Sequence, residues 1–201
     1  MLIGITGEEK GRIILTKALS QKLNPICIVD FNHKNRNLEI AFQMENDVVY
    51  DVLDYLKGDC SLYQSTLEVE EGIDLIPSSF LEDKYAAAAE DILSLKEELE
   101  KEYEYIIFTE ENASELKESF DQWIKVESDE DPSGFSGELF TVGKKDTKEG
   151  LYLGTIPNKE KVYKEIKKLD SETQDEINQL TERFIHKEKA KVSFLQRIFG
   201  R

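Results

Sequence analysis

Four short and almost uninterrupted apolar runs constrain the fold of this chain more than any other feature. They are Leu2-Ile3-Gly4-Ile5-Thr6, Pro25-Ile26-Cys27-Ile28-Val29-Asp30, Ile73-Asp74-Leu75-Ile76-Pro77 and Tyr105-Ile106-Ile107-Phe108-Thr109. A strand covered on both faces reads this way, because neither side can remain polar. Segments of helical period lie between the runs. Ile14, Leu15, Ala18, Leu19 and Leu23 share one face, and Val48, Val49, Val52, Leu53 and Leu56 another. Asn46 is the expected N-cap of the second segment and Gly58 its end. Ser79 with Glu82 forms a capping-box pattern that predicts the longest helix, carrying Tyr85, Ala88, Ala89, Ile92, Leu95 and Leu99. Asn112 and Glu115 predict a further helix through Leu116, Phe120, Trp123 and Ile124, followed by a loop over 126–137.

Strands are expected at 138–142 and 151–156. Helices are expected after Pro157-Asn158, with Val162, Ile166 and Leu169, and from Ser171 and Gln174, with Ile177, Leu180 and Phe184. Strands alternating with helices predict an α/β, three-layer sandwich: a mostly parallel sheet with helices on both faces. The ligand crevice of such a sheet lies at the carboxyl ends of its strands. Here those ends are Thr6-Gly7, Asp30-Phe31-Asn32, Thr109-Glu110 and Ile156-Pro157.

Charge narrows the function classes. The net charge of −16 disfavours nucleic acid as a partner, because the body repels phosphates. Residues 187–201 run the other way, with Lys187, Lys189, Lys191, Arg197 and Arg201 against Glu188 alone, so the acidity belongs to the rest. The expected division is an α/β domain over 1–186 and a basic amphipathic tail over 187–201. No apolar run approaches the ~18 residues that span a bilayer. MLIGITGEEK lacks a secretory pattern, and Cys27 and Cys60 have no CxxC spacing, so the chain reads as cytoplasmic. His33 and His186 are too few for a metal cluster, and Glu127-Ser128-Asp129-Glu130-Asp131 reads as a solvated loop.

Three stretches together carry a family resemblance: IVDFNHKNRNLEIAFQMENDVVYDVLDYLKGDC (28–60), LYLGTIPNKEKV (151–162) and SFLQRIFGR (193–201). The chain resembles the MinD/ParA family of deviant-Walker P-loop ATPases, in its membrane-associated MinD branch. The resemblance implies a P-loop NTPase-like fold, a C-terminal amphipathic membrane helix, and a role in division-site placement or similar spatial positioning. It implies protein partners of MinD type, with a paralogous ATPase as one candidate. Arg36 and Asn37 match the family's partner-facing surface.

The family's nucleotide residues are matched poorly. A phosphate loop wraps several backbone N–H groups around phosphates, with a lysine on them and a Ser/Thr hydroxyl on magnesium. The matching place is Gly7-Glu8-Glu9-Lys10-Gly11-Arg12-Ile13. Glu8 stands where the family has its additional lysine, Arg12 where the second lysine falls, and Ile13 where the hydroxyl falls. Asn32 replaces the second acid of Asp-x-Asp, Thr109 replaces the magnesium-supporting acid, and Asp30 alone remains as a relic.

Like charges ~4 Å apart cost about 4 kcal/mol at an effective dielectric near 20. One helix N-terminus gives back under ~2 kcal/mol. The expectation is a degenerate ATPase with no catalytic residues, no cofactor and no metal. Gly7, Lys10, Gly11 and Arg12 would contact ATP, with Glu110 serving magnesium, only in an alternative reading, an active ATPase with an atypical phosphate loop. Gly7 and Gly11 also fit a plain strand–helix turn.

The tail offers the other candidate site. Val192, Phe194, Leu195, Ile198 and Phe199 fall on one helical side, flanked by Lys191, Arg197 and Arg201. Such a helix fits the interface of an anionic membrane, each cation adding roughly 1 kcal/mol. The expected location is therefore peripheral to the inner face of the cell membrane. The remaining alternative is a soluble regulatory module whose tail binds a partner protein.

Overall fold

The computed structural model describes residues 1–32, 37–81, 84–110, 120–128, 134–141, 151–157, 171–172 and 174–185. One sheet of eight strands organises them. The strands are β1 (Leu2–Gly7), β2 (Ile26–Asp30), β3 (Leu67–Glu70), β4 (Ile73–Ile76), β5 (Tyr105–Glu110), β6 (Gln122–Ser128), β7 (Gly134–Thr141) and β8 (Leu151–Pro157), in the order β3-β4-β2-β5-β1-β6-β7-β8. Parallel pairing links β4, β2, β5, β1 and β6. Strands β3 and β7 run antiparallel to their neighbours, which returns β8 to the common direction. The expected mostly parallel sheet is present.

Alternation along each strand builds a core on both faces. Ile3, Ile5, Ile26, Ile28, Leu75, Ile107, Ile124 and Val126 share one cluster. On that side lie α1 (Glu9–Ser20), α2 (Asn37–Phe42) and α6, whose described helical residues are 171–172 and 174–185, with Ile177, Leu180 and Phe184 buried. Leu2, Cys27, Val29, Ile76, Ile106 and Phe108 face the other way. They meet Val52 and Leu53 of α3 (Val52–Lys57) and Ile92, Leu95 and Leu99 of α5 (Ala89–Leu99). The short α4 (Leu62–Ser65) follows α3. Helices on both faces complete the three layers.

Several boundaries differ from the sequence expectation, each for a local reason. Asp51, not Asn46, caps α3: its carboxylate accepts from the Leu53 and Asp54 amides at 2.9 and 3.0 Å. Gly58 does end that helix, at φ +87°. Ser79 does not open α5, because its hydroxyl instead accepts from the Leu81 amide at 3.2 Å. Lys84 is drawn to α3, with Nζ 2.9 Å from Asp51 and 2.5 Å from Asp54. The helix then begins at Ala89, where the Asp91 carboxylate accepts from the Ala88 amide at 2.8 Å.

Trp123 and Ile124 lie in a strand rather than a helix, since β6 pairs with β1 through Ile5↔Ile124 and Gly7↔Val126. The strand runs on to Ser128 and β7 begins at Gly134, so the loop expected over 126–137 is much shorter. Strand β3 was not expected at all. The helix expected over 158–170 lies outside the described residues.

Two glycines of β1 are required by contacts. A Cβ on Gly4 would sit 2.2 Å from a ring carbon of Phe120, so the ring fills the notch that glycine leaves. Gly7 has φ +100°, and a Cβ there would lie 2.0 Å from the Val126 carbonyl oxygen. An L side chain in the left-handed region costs roughly 1–2 kcal/mol before any clash. Gly7→Ala is therefore expected to lower stability by at least ~2 kcal/mol, read as a fall in urea midpoint at unchanged slope. A midpoint equal to wild type would show that the turn is not constrained as described.

Candidate functional site at the strand ends

The carboxyl ends of β1, β2 and β5 lie side by side, with Thr6 beside Glu110 and Asp30 beside Thr109 in register. Glu8 alone separates β1 from α1. The amides of this turn are largely committed within the chain. The Glu8 N–H donates to the Val126 carbonyl at 2.9 Å, the Arg12 N–H to the Glu8 carbonyl at 2.9 Å, and the Gly11 N–H to the Glu8 carboxylate at 2.8 Å. Glu8 thus caps α1 with its own negative charge, at the positive end of the helix dipole.

Glu9 turns toward β2 and α2. Its Oε1 accepts from Asn37 Nδ2 at 2.8 Å and from Asn32 Nδ2 at 3.2 Å. Lys10 is exposed. Arg12 is only 1% exposed, and its Nη1 donates to Thr109 Oγ1 at 2.6 Å. Its Nε and Nη2 have no hydrogen-bond partner among the described residues. Ile13 points into the core cluster. Asp30 is buried, and Oδ1 accepts from the Asn32 amide at 2.9 Å. Burial pushes its carboxyl up to about 7, despite the opposing charge of Arg12, the Asn32 amide and the nearby Ser78 hydroxyl; Glu9 adds a smaller upward push.

The positions singled out in the sequence therefore gather at one place: Gly7, Glu8, Lys10, Gly11, Arg12 and Ile13 on the turn and first helical turn, with Asp30, Asn32 and Thr109 at neighbouring strand ends. Asn37 joins them through Glu9. Arg36 and the tail residues Lys191, Val192, Phe194, Leu195, Arg197, Ile198, Phe199 and Arg201 lie outside the described residues. Sequence reasoning missed the Glu9 bridge, the Ser78 contribution and the depth of Arg12. That depth follows from the burial of α1 from Gly11 through Ser20, which leaves a long cation at position 12 no outward face. Among the described residues no group of three or more His, Cys, Asp or Glu is placed to hold a metal ion, and no helix is long and apolar enough to cross a membrane.

Asp30 gives the site a pH signature. Unfolded, the carboxyl ionises near 3.8; folded, near 7. The folded state holds the proton more tightly, so stability falls as pH rises between those values and levels off above them. The fall is up to about 1.4 kcal/mol per pH unit. Asp30→Asn keeps an acceptor oxygen and removes the ionisation. Its melting temperature, relative to wild type, is expected to climb between pH 4 and pH 7.5; a difference that stays flat across that range would refute the buried-acid assignment.

No family model matches the chain. It is 33% identical over 85 residues to the septum site-determining protein MinD of Bacillus subtilis (strain 168), a match covering 41% of this chain and 32% of that relative. It is 27% identical over 107 residues to MinD of Escherichia coli (strain K12), covering 52% of this chain and 40% of the relative. The chain thus matches about a third to two-fifths of the length of these relatives. Among solved structures, a plasmid-partition-type protein from Borrelia burgdorferi B31 bound to AMPPNP aligns with a TM-score of 0.65 at 17% identity. That alignment covers 92% of this chain and 98% of the other, and at this identity it speaks for the fold alone. In sequence, over the matched stretches, the chain is MinD-like, and over nearly its whole length it shares the fold of the Borrelia protein.

Proposed function

We propose that the chain is a non-catalytic MinD-like protein that attaches to the inner face of the cell membrane and binds protein partners in division-site placement or a similar positioning task. One observation carries the reading: the Glu8 carboxylate occupies the N-terminus of α1, bonded to the Gly11 amide where a phosphate would have to sit. A bound triphosphate needs several amides converging on it and a cation reaching the same oxygens. Here the Glu8, Gly11 and Arg12 amides are engaged, and the Arg12 guanidinium is turned inward onto Thr109. Ile13 brings no hydroxyl, and Asn32 has no ionisable group to take a proton from water. We read these residues as unfit for magnesium-ATP, and no hydrolytic step is assigned to them.

In this reading the chain works through surfaces. Residues 187–201 would supply reversible attachment to anionic lipid, and the segment with Arg36 and Asn37 a partner contact. Support comes from the family likeness and from the charge polarity of the sequence. The relatives named above are called septum site-determining proteins, which supports division-site placement as the task.

Two measurements test this. Calorimetric titration with magnesium-ATP is expected to give no binding in the micromolar range, and micromolar affinity would overturn the non-catalytic reading. Co-sedimentation with anionic vesicles is expected to pellet the full chain, and to lose most of it in a truncation ending at Lys191. Equal pelleting of the two forms would end the membrane proposal.

A further inference from the structure

In addition to capping and packing, the first turn of α1 makes a contact that reaches across the crevice. Glu9 belongs to α1, yet its Oε1 takes hydrogen bonds from Asn32, just past β2, and from Asn37, the first residue of α2. The two asparagines lie 23 and 28 positions away in sequence. One carboxylate oxygen thus joins the end of β2 and the start of α2 to the helix that follows β1. Helix α2 has only six residues; Leu38, Ala41 and buried Glu39 set it in the core, and Ile40 is 48% exposed. Lys17 from α1 donates to the Ala41 carbonyl and lies 5.0 Å from the Phe42 ring, so Glu9 is the contact that holds the first residue of α2. A helix this short has little stability of its own, so its placement depends on such contacts.

We propose that Glu9 is the positioning residue of α2. It holds the surface bearing Asn37 and Ile40 in its presented arrangement through a contact internal to the chain. This deepens the non-catalytic reading above and rests on it for its functional meaning. The link is made by a side chain of this protein and needs no nucleotide to form it. A carboxylate suits the task, because it accepts from two amide donors at once and carries the charge that strengthens both bonds.

Amide hydrogen exchange on the full chain, without nucleotide, tests the assignment. Glu9→Ala is expected to raise exchange within residues 38–42 on the order of tenfold, the consequence of losing two bonds to a charged acceptor. Exchange in β5 should stay at the wild-type rate. Glu9→Gln, whose amide oxygen still accepts, is expected to restore most of the protection, and Asn37→Ala to reproduce part of the loss. Unchanged exchange in α2 of Glu9→Ala would overturn the proposal, as would an equal rise in α2 and β5, which marks general loosening. The outcome is separable from the calorimetric one: micromolar ATP binding would sink the non-catalytic reading and leave the comparison of these variants intact.

Discussion

The tightness of the turn between β1 and α1 governs much of what this molecule presents at its strand ends. Gly7 takes a backbone conformation closed to other residues at little cost, and it presses against the Val126 carbonyl of β6. The helix must then begin after a single intervening residue. That spacing brings the Glu8 carboxylate back over the helix N-terminus, aims Glu9 across to α2, and carries Arg12 down to Thr109. A longer connection would release all three. The electrostatics of the crevice therefore follow from one backbone constraint and the side chains that inherit it.

Arg12 and Asp30 show how buried charges of the chain itself meet in this crevice. Burying a guanidinium beside a carboxyl whose proton is held to about 7 is an uneasy arrangement, since each group loses hydration that the other replaces only in part. The Thr109 hydroxyl answers one of the guanidinium nitrogens. The cation also lowers the cost of the neighbouring acid, which burial would otherwise push higher. These contacts fix how the ends of β2 and β5 lie against α1.

Much of the architecture was legible because LIGIT, ICIVD, IDLI and YIIFT are apolar on both faces, short, and rich in β-branched and aromatic residues, as strands of a covered sheet are. The errors came from patterns that imitate another period. Leu116, Phe120, Trp123 and Ile124 are spaced like a helical face, yet Ile124 and Trp123 point to opposite sides of the sheet. Ser79 and Glu82 satisfy a capping rule, but Lys84 finds two carboxylates on α3 and diverts the chain. Strand β3 alternates glutamates with Leu67 and Val69 at the sheet edge, so its run is too polar and too short to announce itself. At the site, the residues were legible one by one through the family resemblance. Their connections were not, since a bond between Glu9 and Asn37 depends on how two loops meet in space.

The notch at Gly4 ties two positions of the chain together. The Phe120 ring sits where a side chain at position 4 would be, and it stacks edge-on to Phe108, which meets Phe31 in the same manner. Volume lost at one place must be returned at the other if the interior is to stay filled. Positions 4 and 120 are therefore filled as one: a side chain added to the first strand needs a smaller residue opposite it.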